Sequence, residues 1–144
     1  MASDSRYRLS PVRDARERSE AVRRGDLASA VGDAKETEGQ LADARTRAEL
    51  ARAALDDAVA ATAVAATAAQ RALADRFVAR RRRELAEARD AELRAEAAHG
   101  DRLGAVDVAR TRLARARAER ELIERHFARW RESQKRLAER RADD

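Results

Sequence analysis

No cysteine occurs among the 144 residues, there is a single proline, and the aromatic residues are only Tyr7, Phe77, Phe127 and Trp130. Each shortage excludes something. Without cysteine there is no disulfide framework, no thiolate metal site and no thiol nucleophile. With Pro11 the only proline, no strong helix breaker follows it. Bulky apolar residues are scarce too: leucine, valine, isoleucine and phenylalanine supply 23 positions, alanine alone 37. That is thin for an ordinary compact globule. The longest uncharged stretch, Ala58 to Gln70, has 13 residues, against the about 20 apolar residues that cross a bilayer. The first residues lack the apolar core of a signal peptide. The expectation is a soluble, cytoplasmic protein.

What is abundant points one way. Ala, Glu, Lys, Leu and Arg make up 95 of the 144 residues, the mixture of long helices and coiled coils. Lys+Arg is 32 against Asp+Glu 27, a formal net charge of +5, and only Lys35 and Lys135 are lysines. Met1 to Leu9 reads as a loose lead-in. Ser10-Pro11 marks a helix start, with Ser as N-cap and Pro in the first helical position.

Two heptad seams follow. In the first, Leu27, Ala34, Leu41, Ala48, Leu55 and Thr62 recur every seven residues, with Val31, Glu38, Arg45, Arg52, Val59 and Ala66 as the companion column. Ala30, Ala44, Ala51 and Ala58 widen that stripe. In the second, Leu85, Glu92, His99, Val106, Leu113, Arg120, Phe127 and Gln134 form one column. Ala88, Ala95, Arg102, Ala109, Ala116, Ile123, Trp130 and Leu137 form the other. Gly25, Gly32 and Gly39 lie seven apart on an outer column and read as a softened helix or as a close approach of a partner. Two seams on one short chain predict an all-α fold: a long antiparallel two-helix coiled-coil hairpin forming a single domain over 1–144. Helix 1 is expected at about 10–60, a turn at about 60–69 and helix 2 at about 70–141. His99-Gly100-Asp101-Arg102-Leu103-Gly104 is the rival break, which would kink or split helix 2. Alanine buries little area, so marginal stability alone and stabilisation by a partner are expected.

Charge is segregated. Residues 6–24 carry +4, 26–57 carry −4, 71–83 carry +5, 84–108 carry −4 and 110–141 carry +7. Folded at residue 65, this is a rod with basic ends and an acidic waist, with Arg80 to Arg83 near the tip. Such a rod can contact a different partner at each end, although any one cluster also reads as a solvated helix face with i,i+4 pairs.

Little points to chemistry. Glu96 and His99 have the i,i+3 spacing of di-iron bundles, but those need two such pairs and two further glutamates. His126 reads as a helix-surface or partner contact. There is no phosphate loop, nucleophile elbow or paired catalytic motif. Neither an enzyme nor a cofactor or metal site is expected. Arginine abundance and a sequence pI near 10.7 are an electrostatic footprint for nucleic acid. Interleaved acids and the shortage of stacking aromatics argue against specific recognition. A homodimeric scaffold is a third reading.

The termini carry a resemblance. Arg6-Tyr7-Arg8-Leu9-Ser10-Pro11-Val12, followed by Arg16-Glu17 and Glu20, resembles the opening of the FliJ family of flagellar export proteins. Arg120-Glu121-Leu122-Ile123-Glu124-Arg125 resembles that family's C-terminal run. His126-Phe127-Ala128-Arg129-Trp130 and the helix after it are similar to YscO-type injectisome proteins. The resemblance implies an antiparallel coiled-coil stalk. One end would sit in the hexameric export ATPase, the other would contact the cytoplasmic part of the export gate, and export chaperones would bind as well. It further implies a cytoplasmic protein held peripherally at the inner membrane through the export apparatus. On that reading Tyr7, Leu9, Val12, Ile123, Phe127 and Trp130 are packing or ATPase contacts, steered by Arg6, Arg8, Arg16, Arg125 and Arg129. Leu73, Phe77 and Arg81 are the gate contacts. Ile123, Phe127 and Trp130 also read as hairpin core. Flagellar and injectisome use stay open.

Overall fold

The structure, a computed structural model, describes residues 6–143. It is all-α, an antiparallel hairpin of two long helices: α1, Ser10–Thr62, and α2, Ala68–Asp143. Of the loose lead-in expected before Ser10, residues 1–5 lie outside the described residues. The chain groups into two compact units, Met1–Ala30 with Ala105–Asp144 and Val31–Gly104. Both helices run through both.

Helix α1 opens one residue earlier than the Ser10-Pro11 signal suggests. The Leu9 carbonyl accepts the Arg13 N–H (3.0 Å) and the Tyr7 carbonyl accepts the Ser10 N–H (3.2 Å). Leu9 thus takes the capping position and Pro11 falls in the first turn, where its missing N–H costs nothing.

The Val31–Gly104 unit contains the turn. Helix α1 ends at Thr62, and the N–H groups of Ala63, Val64 and Ala65 bond back to the carbonyls of Ala60, Ala61 and Thr62. Helix α2 then starts on a capping box. The Thr67 hydroxyl accepts the Gln70 N–H (3.1 Å), while Gln70 Oε1 accepts the N–H groups of Thr67 (3.1 Å) and Ala66 (3.0 Å). This reciprocal pairing satisfies donors that a helix start leaves free. Thr67-Ala-Ala-Gln70 therefore gives the window at 60–69 its sharp boundary.

On α1 the column Ala34, Leu41, Ala48 is buried as expected. Its companion is not the Val31–Ala66 column. Glu38, Arg45, Arg52, Val59 and Ala66 are exposed, whereas Ala44 and Ala58 are buried and Thr37 and Ala51 half-buried. The inner face is thus shifted one residue towards the alanines. Burying Glu38, Arg45 and Arg52 would strip three charges of water, and a methyl-lined face avoids that cost. Opposite it on α2 lie Val78 and Leu85, both buried. Val78 extends the second seam one heptad before its expected start.

The suspected break at 99–104 is unbroken helix. Thr37 Oγ1 and His99 Nδ1 lie 3.0 Å apart across the pair, tying His99 to α1 just before Gly100. A Cβ added at any of the five glycines meets nothing within 4 Å. The close approach considered for Gly25, Gly32 and Gly39 thus finds no neighbour within this chain.

In the other unit the buried apolar positions are Val106, Ala109, Leu113 and Ala116 on α2, together with Tyr7 ahead of α1. Expected seam members Leu137 and Arg102 are exposed instead. Arg140 and Arg141 lie in the last turn of α2, where positive charge suits the negative end of a helix dipole. No helix of the described residues is long and apolar enough to cross a membrane.

Two measurements check this packing. Leu113→Ala is expected to cost about 2–3 kcal/mol, and Leu50→Ala on the exposed face less than about 0.5 kcal/mol. Urea unfolding followed by helical circular dichroism separates the two. Gly100→Ala and Gly104→Ala are each expected to add about 0.5–1 kcal/mol of stability, because continuous helix favours alanine at both. A loss at either position would mean that the chain bends there.

Candidate functional site

The two sequence segments singled out at the ends of the chain meet in one cluster. Tyr7 precedes the first turn of α1, and its side chain is buried against α2. Its ring centroid lies 4.9 Å from that of Phe127, edge-on, 5.1 Å from that of Trp130 and 5.8 Å from that of His126. Phe127 and Trp130 stack at 5.7 Å. They sit three apart, so helical periodicity puts both on one face of α2. Tyr7 Oη is 2.8 Å from His126 Nδ1. Arg13 places its guanidinium 4.4 Å from the Phe127 centroid, and Arg131 lies 5.9 Å from it. Aromatic pairs of this kind contribute about 0.5–1.5 kcal/mol beyond the area they bury.

Beside the aromatics runs a ladder of ion pairs. Arg13 Nε donates to Glu124 (2.6 Å) and Arg16 pairs with Glu119. Next comes Glu20, whose side chain is only 7% exposed. Its carboxylate accepts hydrogen bonds from Arg120 (2.9 Å) and Arg24 (2.8 Å), with Arg117 3.6 Å away. A carboxylate so far out of water is tolerable only with such partners. The Arg120 hydrogen bond, aided by Arg24, holds the Glu20 carboxyl below the usual carboxylate range against the opposing push of burial. The Arg13 hydrogen bond does the same to Glu124. The guanidinium groups of Arg13 and Arg120 are raised in turn.

The expected contact residues fall into distinct environments. Tyr7, Phe127 and Trp130 form the cluster, and Ile123 is half-buried one turn before it. Leu9 and Val12 stay on the exposed side, as do Arg6, Arg8 and Arg129. Arg16 is engaged with Glu119, and Arg125 pairs with Glu121 along its own helix (3.5 Å). In the Val31–Gly104 unit, Leu73 is 70% exposed and Phe77 38% exposed. Arg81 lies over the Phe77 ring at 4.9 Å and donates to Glu84 (2.7 Å).

Sequence reasoning passed over Glu20, Arg13, Glu124 and the bond from His126 to Tyr7. A signal for Glu20 existed. It stands seven residues before Leu27 in the same inner column, and Arg120 occupies the inner column of α2. Among the described residues no group of three or more His, Cys, Asp or Glu side chains could hold a metal ion. Compared with known proteins, the chain matches no family model, no curated protein and no solved structure.

The ion pairs set a pH dependence. Glu20 and Glu124 have folded pKa values below their unfolded ones. Their contribution is therefore complete above the unfolded value and is lost as pH falls through the folded one. Thermal melts should hold steady near neutrality and drop below about pH 4–5. Glu20→Gln should lower the melting temperature at neutral pH and flatten the acid limb. An unchanged acid limb would show that this carboxylate does not titrate with unfolding.

Proposed function

We propose that the chain is a coiled-coil stalk of a type III protein export apparatus, flagellar or injectisome, which binds the hexameric export ATPase and links it to the export gate. The observation that carries this reading is the contact of Tyr7 with Phe127 and Trp130. It joins the two segments, 6–12 and 120–130, on which the resemblance to the FliJ family and the YscO-type proteins rests. An antiparallel two-helix fold accords with it, since a stalk needs both termini at one place.

On this reading the aromatic cluster is the base of the ATPase contact. Tyr7, Phe127, Trp130 and Ile123 set its shape, while exposed Leu9, Val12, Arg6, Arg8 and Arg129 and the paired Arg16 and Arg125 present the surface. Leu73, Phe77 and Arg81 form the gate contact, and export chaperones are further partners. The protein acts without catalysis or cofactor. It works in the cytoplasm, at the membrane only through the apparatus it serves.

The test is ATP hydrolysis by the cognate export ATPase, titrated with this protein, with ring formation followed by mass. Stimulation and hexamer assembly at about one stalk per ring are expected. Phe127→Ala with Trp130→Ala should weaken ATPase binding more than Leu73→Ala with Phe77→Ala. Equal weakening at matched helicity counts against two separate contacts. No effect of the intact protein would turn the reading towards an arginine-rich nucleic-acid binder or a scaffold.

A further inference from the structure

Beside the turn, within the Val31–Gly104 unit, the facing helices leave an open trough of about 600 Å³. Its α1 wall is Ala58 and Ala61, and its α2 wall is Leu73, Ala74 and Phe77. The two walls differ in size, and that difference makes the trough. Methyl groups on one side cannot reach across to cover a leucine and a phenylalanine on the other. Leu73 and Phe77 are four apart, on one face of α2, and both stay exposed. A groove between two helices with apolar walls has the shape that a third helix fills.

The rim is charged on one side only. Residues 71–83 hold six arginines against Asp75, while Ala58 to Ala69 carry no charge. Arg76, Arg80 and Arg83 line the α2 edge. Arg80 and Arg81 lie 5.1 and 4.9 Å from the Phe77 centroid. Both reach Glu84 on their own helix. Arg76 and Arg83 form no ion pair among the described residues. Arg76 and Arg83 are exposed, and an unpaired guanidinium meets a carboxylate with two parallel bonds.

We propose that this trough docks an acidic amphipathic helix of a partner protein, its apolar stripe on Leu73 and Phe77 and its carboxylates along the arginine edge. The uncharged α1 wall requires the acids to lie on one flank of that helix. A phosphate backbone gains nothing from a wall of methyl groups, and a stacking base finds Phe77 flanked by guanidinium groups. The inference rests on the reading of Leu73, Phe77 and Arg81 as a partner contact and adds the chemistry of that partner. It does not depend on the ATPase.

The experiment uses the full chain and a fluorescein-labelled synthetic peptide of about 18 residues, or five helical turns. The peptide carries leucines on one face and glutamates along one flank. A counterpart has lysine for every glutamate. By anisotropy the acidic peptide should bind with a Kd on the order of 10 μM and the lysine counterpart at least about tenfold more weakly. Leu73→Ser with Phe77→Ser should weaken binding at least about tenfold at unchanged helicity, since both side chains are exposed. Arg80→Glu with Arg83→Glu should reverse the preference between the peptides. The same reversal at Arg110 and Arg112 should leave it alone.

Several results would overturn the proposal. They are no binding of the acidic peptide, binding indifferent to Leu73 and Phe77, equal damage from the Arg110 and Arg112 reversal, and displacement of the peptide by anionic vesicles through the same residues. Peptide failure with ATPase stimulation intact removes the groove alone. Peptide binding without ATPase stimulation removes the export reading alone.

Discussion

A methyl group buries too little surface to hold two long helices together, yet the inner face of α1 is largely methyl. Ala34, Ala44, Ala48 and Ala58 are all buried there, with Leu41 the one large apolar side chain among the buried residues of that face. What alanine supplies is close approach and a high helix propensity, not area. The rest of the molecule follows from that. Bulky side chains concentrate on α2, at Val78, Leu85, Val106 and Leu113. An alanine seam is also poor at fixing register, because one methyl resembles the next. Polar pairs across the helices carry that information instead: Arg13 with Glu124, Arg16 with Glu119, Glu20 with Arg117 and Arg120, and Thr37 with His99.

Glu20 has the strongest claim on register. Exposed pairs such as Arg45 with Glu92 are nearly indifferent to a slip, since water replaces either partner. A nearly buried carboxylate is not indifferent. Any register that separates it from Arg117 and Arg120 leaves it with Arg24 of its own helix alone. One acidic residue in the seam therefore excludes alternatives that the alanines would accept.

Much of the fold was legible in the sequence. Seven-residue recurrence located a buried column on each helix, and two seams on one short chain pointed to a hairpin. The column Val31 to Ala66 misled because Val31 and Val59 are apolar, although Glu38, Arg45 and Arg52 between them could not be buried. Choosing alanines with Thr37 over valines with charges would have found the inner face. At the turn the absence of Gly and Pro hid the boundary, yet Thr67 and Gln70 are a capping signal at a fixed offset. Gly100 and Gly104 looked like punctuation, but two glycines in a helix packed along its length cost too little to break it. Of the candidate site, the meeting of the two ends was legible from the hairpin, with Tyr7, Phe127 and Trp130 expected to pack there, whereas the bond between Tyr7 and His126 and the partners of Glu20 were not. Nothing local tells Tyr7 that His126, Phe127 and Trp130 lie beside it. That follows only from the pairing of the two helices.

The last turns of α2 show a different kind of pairing. Among the described residues, the ion pairs from Arg131 to Asp143 stay within α2, Arg136 with Glu132 and Lys135 with Glu139. A helical segment of that size held by its own propensity sits close to its helix–coil midpoint in water. Helical amides held only in that way are the least protected against exchange. Any surface that covers this segment therefore does so by folding it, and the entropy of that ordering makes the contact readily reversible.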